Sequence, residues 1–169
     1  THSVASWMSA ASLPTTSTPT PLSTPATQQT QSVIDYGEAG PQNRLIGADF
    51  LHDQGFMGDG ILIAVLDAGF YSVDTLSVFD SLWAYQRIEN YWDFVDQDAL
   101  LFTENAHGMG VLSVMASNSP GLLVGTAPHA SYLLARTEDV AAETHAEEDN
   151  WVAAMEWADS QGVDILQSS

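Results

Sequence analysis

The chain has 169 residues, close to one average domain, and 45% of them are hydrophobic, enough to fill a core. Acidic residues number 22 against 3 basic ones, a formal charge of −19 with no lysine; such a surface repels phosphate backbones and argues against a nucleic-acid partner. Cysteine is absent, which excludes disulfides, thiolate metal sites and cysteine nucleophiles, and no apolar run reaches the length of about 18 residues that a membrane span needs, so no membrane partner is expected.

Residues 1 to 32 carry no Asp, Glu, Lys or Arg, and from Ser12 to Ser32 15 of 21 residues are Ser, Thr or Pro. That composition cannot supply a core, so residues 1–35 are read as a linker without regular structure, with Ser3 to Ala11 a remnant of something upstream. All 25 charged residues fall in residues 33 to 169, and residues 36–169 are expected to form the domain. Arg44 to Gln54 predicts one helix with an apolar face of Leu45, Ala48, Phe50 and Leu51, stopped by Gly55. Ile61 to Leu66 is a continuous apolar run, the pattern of a strand buried on both faces, and it ends at Asp67-Ala68-Gly69. A weaker strand is expected near Ile88 to Val95. Helical spacing runs from His107 to Ser117, a strand from Ser131 to Arg136, an amphipathic helix from Asp149 to Gln161, and a last short strand starts at Val163. Alternating strands and helices predict an α/β fold with a mostly parallel sheet.

Ligands of open parallel sheets bind beyond the carboxyl ends of the strands. Asp67 stands at such an end, where a carboxylate can orient a histidine, accept a phosphoryl group or hold a metal; it can also simply start a tight turn. Phosphoryl and metal chemistry both want a second nearby carboxylate, and none lies within six residues after Asp67. His107 opens a helix that Asn105 can cap, and the helix dipole disfavours its charged form, which suits a general base; a helix-start histidine can equally have no role. His52 is expected to pack within its helix. Glu138, Asp139, Glu143, Glu147, Glu148 and Asp149 place six carboxylates in twelve residues; they read as a solvated acidic loop, with calcium the one cofactor in view.

In order, Asp67-Ala68-Gly69, then His107-Gly108-Met109-Gly110-Val111, then Gly125-Thr126-Ala127-Pro128, then Glu156-Trp157-Ala158 with Gly162 to Ser169 resemble the successive segments of subtilisin-like serine proteases. Arg136-Thr137-Glu138-Asp139 and Glu147 to Trp151 are similar to the branch found in Bacteroidetes-type bacteria. The resemblance covers residues 36 to 169. It implies a three-layer α/β/α fold with a parallel sheet, incomplete at its C-terminal end, and a secreted, extracellular endopeptidase with an Asp-His-Ser triad. Asp67 would orient His107, the general base; Asn105 would lie on the leaving-group side, and Ser168 and Ser169 would pair with the backbone of a peptide or protein substrate. Ala68 stands where the family usually has Ser or Thr, and Gly110 where it often has a second histidine. No Gly-Thr-Ser segment and no Gly-x-Ser-x-Gly elbow occurs. The serine and the oxyanion asparagine are expected in a C-terminal half that would partner this one, and the chain alone is expected to be inactive. A catalytically silent interaction module and an acidic cation-binding domain are the alternatives.

With charge this one-sided, repulsion outweighs pairing, and salt screens exposed charges over about 10 Å at 0.1 M. Melting temperature should therefore rise as sodium chloride goes from low to molar concentration; a fall would show that attractive pairs dominate the surface.

Overall fold

The computed structural model describes residues 32–141 and 144–169. The Ser/Thr/Pro-rich stretch before Ser32, expected to be a linker, lies outside the described residues. Two short helices open the domain, α1 (Gly40–Ile46) and α2 (Ala48–Asp53), followed by strand β1 (Leu62–Asp67) and helix α3 (Asp80–Ala84). Next come β2 (Ile88–Asp93), α4 (His107–Ala116) and the pair β3 (Asn118–Ser119) and β4 (Leu123–Val124). The order closes with β5 (Ser131–Arg136), α5 (Ala146–Ser160) and β6 (Ile165–Ser168).

Four strands form one sheet in the order β2-β5-β1-β6, every pair parallel; β3 and β4 make a separate antiparallel ribbon. The central strands are apolar on both sides because both sides are covered. Ile63, Val65, Tyr132 and Leu134 face one layer, where α4 contributes Leu112 and Ala116 and the loops contribute Phe70, Phe79 and Leu101. Ala64, Leu66, Leu133 and Ala135 face the other, where α5 contributes Ala154 and Ala158. The alternation has the two-residue period of a strand, and the result is the three-layer α/β/α arrangement expected from the sequence.

The first expected helix differs. It is broken in two at Gly47, whose left-handed φ of 74° caps α1 and starts α2. The face expected to be apolar is largely turned out: Leu45 and Phe50 are exposed, while Ala48, Asn43 and His52 are buried. Polar partners explain the inversion. Asn43 donates to the Val124 carbonyl at 3.0 Å. His52 lies between the Tyr36 hydroxyl (2.8 Å) and the Thr126 carbonyl (2.9 Å). A carbonyl only accepts, so Nε2 carries the proton and Nδ1 takes the tyrosine hydroxyl. The last strand also starts later than expected, at Ile165: the Val163 amide still donates to the Ala158 carbonyl of α5 at 3.3 Å, and its side chain packs against the second apolar layer.

One ion pair fixes the carboxyl edge of the sheet. Arg136, at the end of β5, is buried and donates to Asp93 of β2 at 2.7 Å and to Asp96 at 2.6 Å. Phe94 N–H donates to the Arg136 carbonyl at 2.9 Å, so the two strand ends are held by backbone and side chain together. Removing one partner of such a pair strands a buried charge.

Leu134 is fully buried at the centre of the larger apolar layer. Leu134→Ala should cost about 2–5 kcal/mol in urea unfolding, the range for deleting a well-packed core side chain. A loss below about 1 kcal/mol would mean that this layer is loosely packed.

Candidate active site

Asp67 is the last residue of β1 and is completely buried. A carboxylate out of water is costly unless its lone pairs are filled. Here Oδ1 accepts from the Ala68 amide at 2.7 Å and from His107 Nδ1 at 2.8 Å, and Oδ2 accepts from the Ser169 hydroxyl at 2.8 Å. Each donor comes from a different element. Ala68 follows β1, His107 begins α4, and Ser169 follows β6, which pairs with β1 so that Leu66 stands opposite Ser168.

The approach of α4 to β1 depends on two residues without side chains. A Cβ on Gly108 would lie 2.6 Å from the Gly69 carbonyl oxygen and 2.8 Å from Asp67 Cβ, and one on Gly69 would lie 2.7 Å from the Asn105 backbone. Both contacts are closer than carbon tolerates, so the glycines beside Asp67 and His107 set the distance between them. Asn105 shapes the turn into α4: its side-chain oxygen accepts the His107 amide at 2.7 Å, and its carbonyl accepts the Tyr71 amide at 3.1 Å.

The imidazole of His107 is open to solvent, its side chain 58% exposed, while its Nδ1 faces the carboxylate. A carboxylate only accepts, so Nδ1 carries the proton and Nε2 is left free and outward. The hydrogen bond to Asp67 raises the His107 pKa above its ordinary value; the Asp67 charge adds to this, slight burial opposes it, and Glu138 adds a smaller pull. The sequence reading had the helix N-terminus favouring the neutral ring; the carboxylate outweighs it.

Of the residues singled out from the sequence, Asp67, His107 and Ser169 come together. Asn105 stays exposed beside them, in contact with His107 through its backbone amide. Ser168 points elsewhere: its hydroxyl accepts from Trp151 Nε1 at 2.8 Å and ties β6 to α5. Among the described residues no group of three or more His, Asp or Glu could hold a metal ion. His129 pairs with Asp59 at 3.0 Å and His145 with Glu148 at 3.2 Å, both exposed. Sequence reasoning placed Glu138 in a solvated acidic loop and gave it no part in the site. It is half-buried next to this group, and burial raises its pKa, helped by the Asp67 and Glu147 charges. Its place two residues beyond the end of β5, beside the end of β1, was the available signal.

The profile of peptidase S8, the subtilase family, matches residues 58–169. The chain belongs to the subtilase family. Subtilisin E of Bacillus subtilis (strain 168) is 29% identical over 128 residues, covering 73% of this chain and 30% of that one. Subtilisin NAT of Bacillus subtilis subsp. natto gives the same figures. This subtilase chain thus spans about a third of the length of the curated relatives it matches. Among solved structures, fervidolysin from Fervidobacterium pennivorans, described as a keratinolytic enzyme related to subtilisin, has a TM-score of 0.55 at 21% identity over 80% of this chain and 21% of that one. MycP1 from Mycobacterium smegmatis has a TM-score of 0.55 at 19% identity over 82% of this chain and 37% of that one. Both share the fold.

Because the folded pKa of His107 lies above the ordinary 6.5, the pair's contribution to stability is complete below that pH and is lost as pH rises through the higher folded value. Solvent around the ring keeps the contribution small. In an NMR titration His107 should titrate above 6.5, and Asp67→Asn should bring it to that value or below. An unchanged midpoint in the Asn variant would show that the carboxylate does not govern the ring.

Proposed function

We propose that Asp67 and His107 are the acid and base of a serine endopeptidase, and that residues 36–169 form the N-terminal part of its catalytic domain. The observation that carries this reading is the 2.8 Å hydrogen bond between a fully buried carboxylate and an exposed imidazole, in a chain of the subtilase family. Asp67 keeps the proton on Nδ1, so Nε2 is the atom free to take a proton from a serine hydroxyl and return it to the leaving amine. The imidazolium formed in between is stabilised by the same carboxylate, in keeping with the raised pKa of the ring.

In this reading the serine nucleophile and the oxyanion asparagine belong to sequence beyond Ser169, and residues 1–35 join the domain to what precedes it. The 169-residue chain alone is then inactive, because the groups of such a site act as a unit. Substrates are peptides or proteins met outside the cell. Of the two serines expected to pair with a substrate backbone, Ser168 lies in the edge strand β6 and keeps that possibility. The Ser169 side chain serves Asp67, leaving only its backbone for a peptide.

The test is hydrolysis of a fluorogenic peptide by the full-length polypeptide that contains this chain. His107→Ala and Asp67→Asn should each reduce kcat/KM by about 10⁴-fold or more, a scale set by triad substitutions in this class of enzyme, subtilisin included, and not by the present geometry. Full activity in either variant would remove the residue from the mechanism. No hydrolysis by a folded full-length protein would leave the inactive interaction module as the better reading.

A further inference from the structure

Arg136 is buried, and no step of the proposed reaction uses it. It stands in register with Asp93 on β2 and with Asp67 on β1. Strand alternation turns all three toward the layer of α4, where Tyr132 and Leu134 also point. The carboxyl edge thus carries a row of acid, cation and acid. The side chain of the cation is committed to one side of that row: Nη1 donates to Asp93 at 2.7 Å and to Asp96 at 2.6 Å. On the other side Arg136 acts through the backbone, because the next amide, that of Thr137, donates to the Asp67 carbonyl at 3.0 Å.

The two acids that Arg136 holds begin the connection that delivers His107. Asp93 Oδ1 accepts the amides of Val95 and Asp96 at 2.8 and 2.9 Å, and the Asp93 amide donates to the Asp98 carbonyl at 2.9 Å, so residues 93–98 form a closed turn seated on the guanidinium. The chain then runs through the fully buried Leu101 toward α4. On the way its carbonyls accept amides from the loop after Asp67: Leu101 from Phe70 at 3.4 Å, Phe102 from Ser72 at 2.9 Å and Asn105 from Tyr71 at 3.1 Å. His107 follows two residues later. One buried cation therefore holds both the end of the strand beside Asp67 and the start of the segment that carries the imidazole to it. Loss of that cation would leave Asp93 buried without its partner and free the turn from β5.

We propose that Arg136 is a positioning residue for the Asp67–His107 pair. The proposal rests on the peptidase reading only for its kinetic arm, so the two can fail separately. Arg136→Met is made in the 169-residue chain and His107 is followed by NMR. A displaced carboxylate bonds the ring less well, so the His107 midpoint should fall toward the ordinary histidine value, and the neutral ring should lose its preference for a proton on Nδ1. If Arg136 acted only as a nearby positive charge, its removal would raise that midpoint instead. A rise, or an unchanged midpoint, would overturn the proposal. Leu133→Ala, which opens the opposite apolar layer from the same strand, should lower stability and leave the midpoint of the folded chain alone; an equal fall there would reduce the effect to general loosening and overturn it too. Where Arg136→Met does not fold, Asp96→Asn carries the test, since it removes one of the two acceptors at a position whose side chain is 59% exposed. At 1 M sodium chloride, where exposed charges are screened over about 3 Å, it should still lower the midpoint and speed hydrogen exchange of the Thr137 amide; no change would overturn the proposal. In the full-length polypeptide, Arg136→Met should lower kcat by about tenfold or more and leave KM within about twofold, because a small misplacement of reacting groups is felt in the chemical step. An unchanged kcat would overturn the proposal. The NMR changes in the chain, with no hydrolysis by the native full-length protein, would defeat the peptidase reading and leave the positioning role standing.

Discussion

The carboxylate of Asp67 is the group around which the rest is arranged. It lies at the end of a strand with no solvent access, where an unpaired charge would cost several kcal/mol. Its donors arrive from the turn after its own strand, from the first residue of α4 and from the residue after β6. Satisfying one buried charge therefore requires the β1–β6 register, the close approach of α4, and the glycines that allow that approach. A shift of β6 by one residue would withdraw the Ser169 hydroxyl, and a side chain at position 108 would push the imidazole away.

A second buried charge stabilises the same edge from the other side. Arg136 ends β5 and is held by Asp93 and Asp96 of the β2 end, and the next amide, that of Thr137, binds the Asp67 carbonyl. The three strand ends β2, β5 and β1 are thus fixed relative to one another by polar bonds, while the apolar layers above and below fix the sheet as a whole. Of only three basic residues in a chain of charge −19, one is placed in the interior of this edge, where it is matched by two carboxylates. Glu138 lies just past this cation, on the side facing Asp67 and His107.

Much of this was legible in the sequence, for identifiable reasons. The run from Ile61 to Leu66 showed a strand covered on both faces because burial on both sides removes the polar alternation. The strand at Ser131 to Arg136 and helix α4 were found within a residue at each end. Asp67 and His107 stood out because each combines a titratable side chain with an element boundary. The split of the first helix was not legible: Gly47 interrupts an otherwise continuous helical pattern, and the burial of Asn43 and His52 instead of Leu45 and Phe50 depends on carbonyls of Val124 and Thr126, far away in the chain. The hydroxyl of Ser169 on Asp67 depends on strand register, which no local pattern encodes. The acidic stretch from Glu138 to Asp149 read as a solvated loop because spacing alone could not show that Glu138, Glu147 and Glu148 share one cleft with Thr137 and Trp151.

The central claim is that a buried carboxylate fixes the tautomer of an exposed histidine and leaves Nε2 bare. The nitrogen-15 NMR spectrum of the imidazole reads this directly, at a pH well above the His107 midpoint where the ring is neutral. The account predicts a protonated Nδ1 and an unprotonated Nε2 for His107 in the native chain, and loss of that preference in Asp67→Asn. A neutral ring protonated on Nε2, or the same tautomer in the variant, would contradict it.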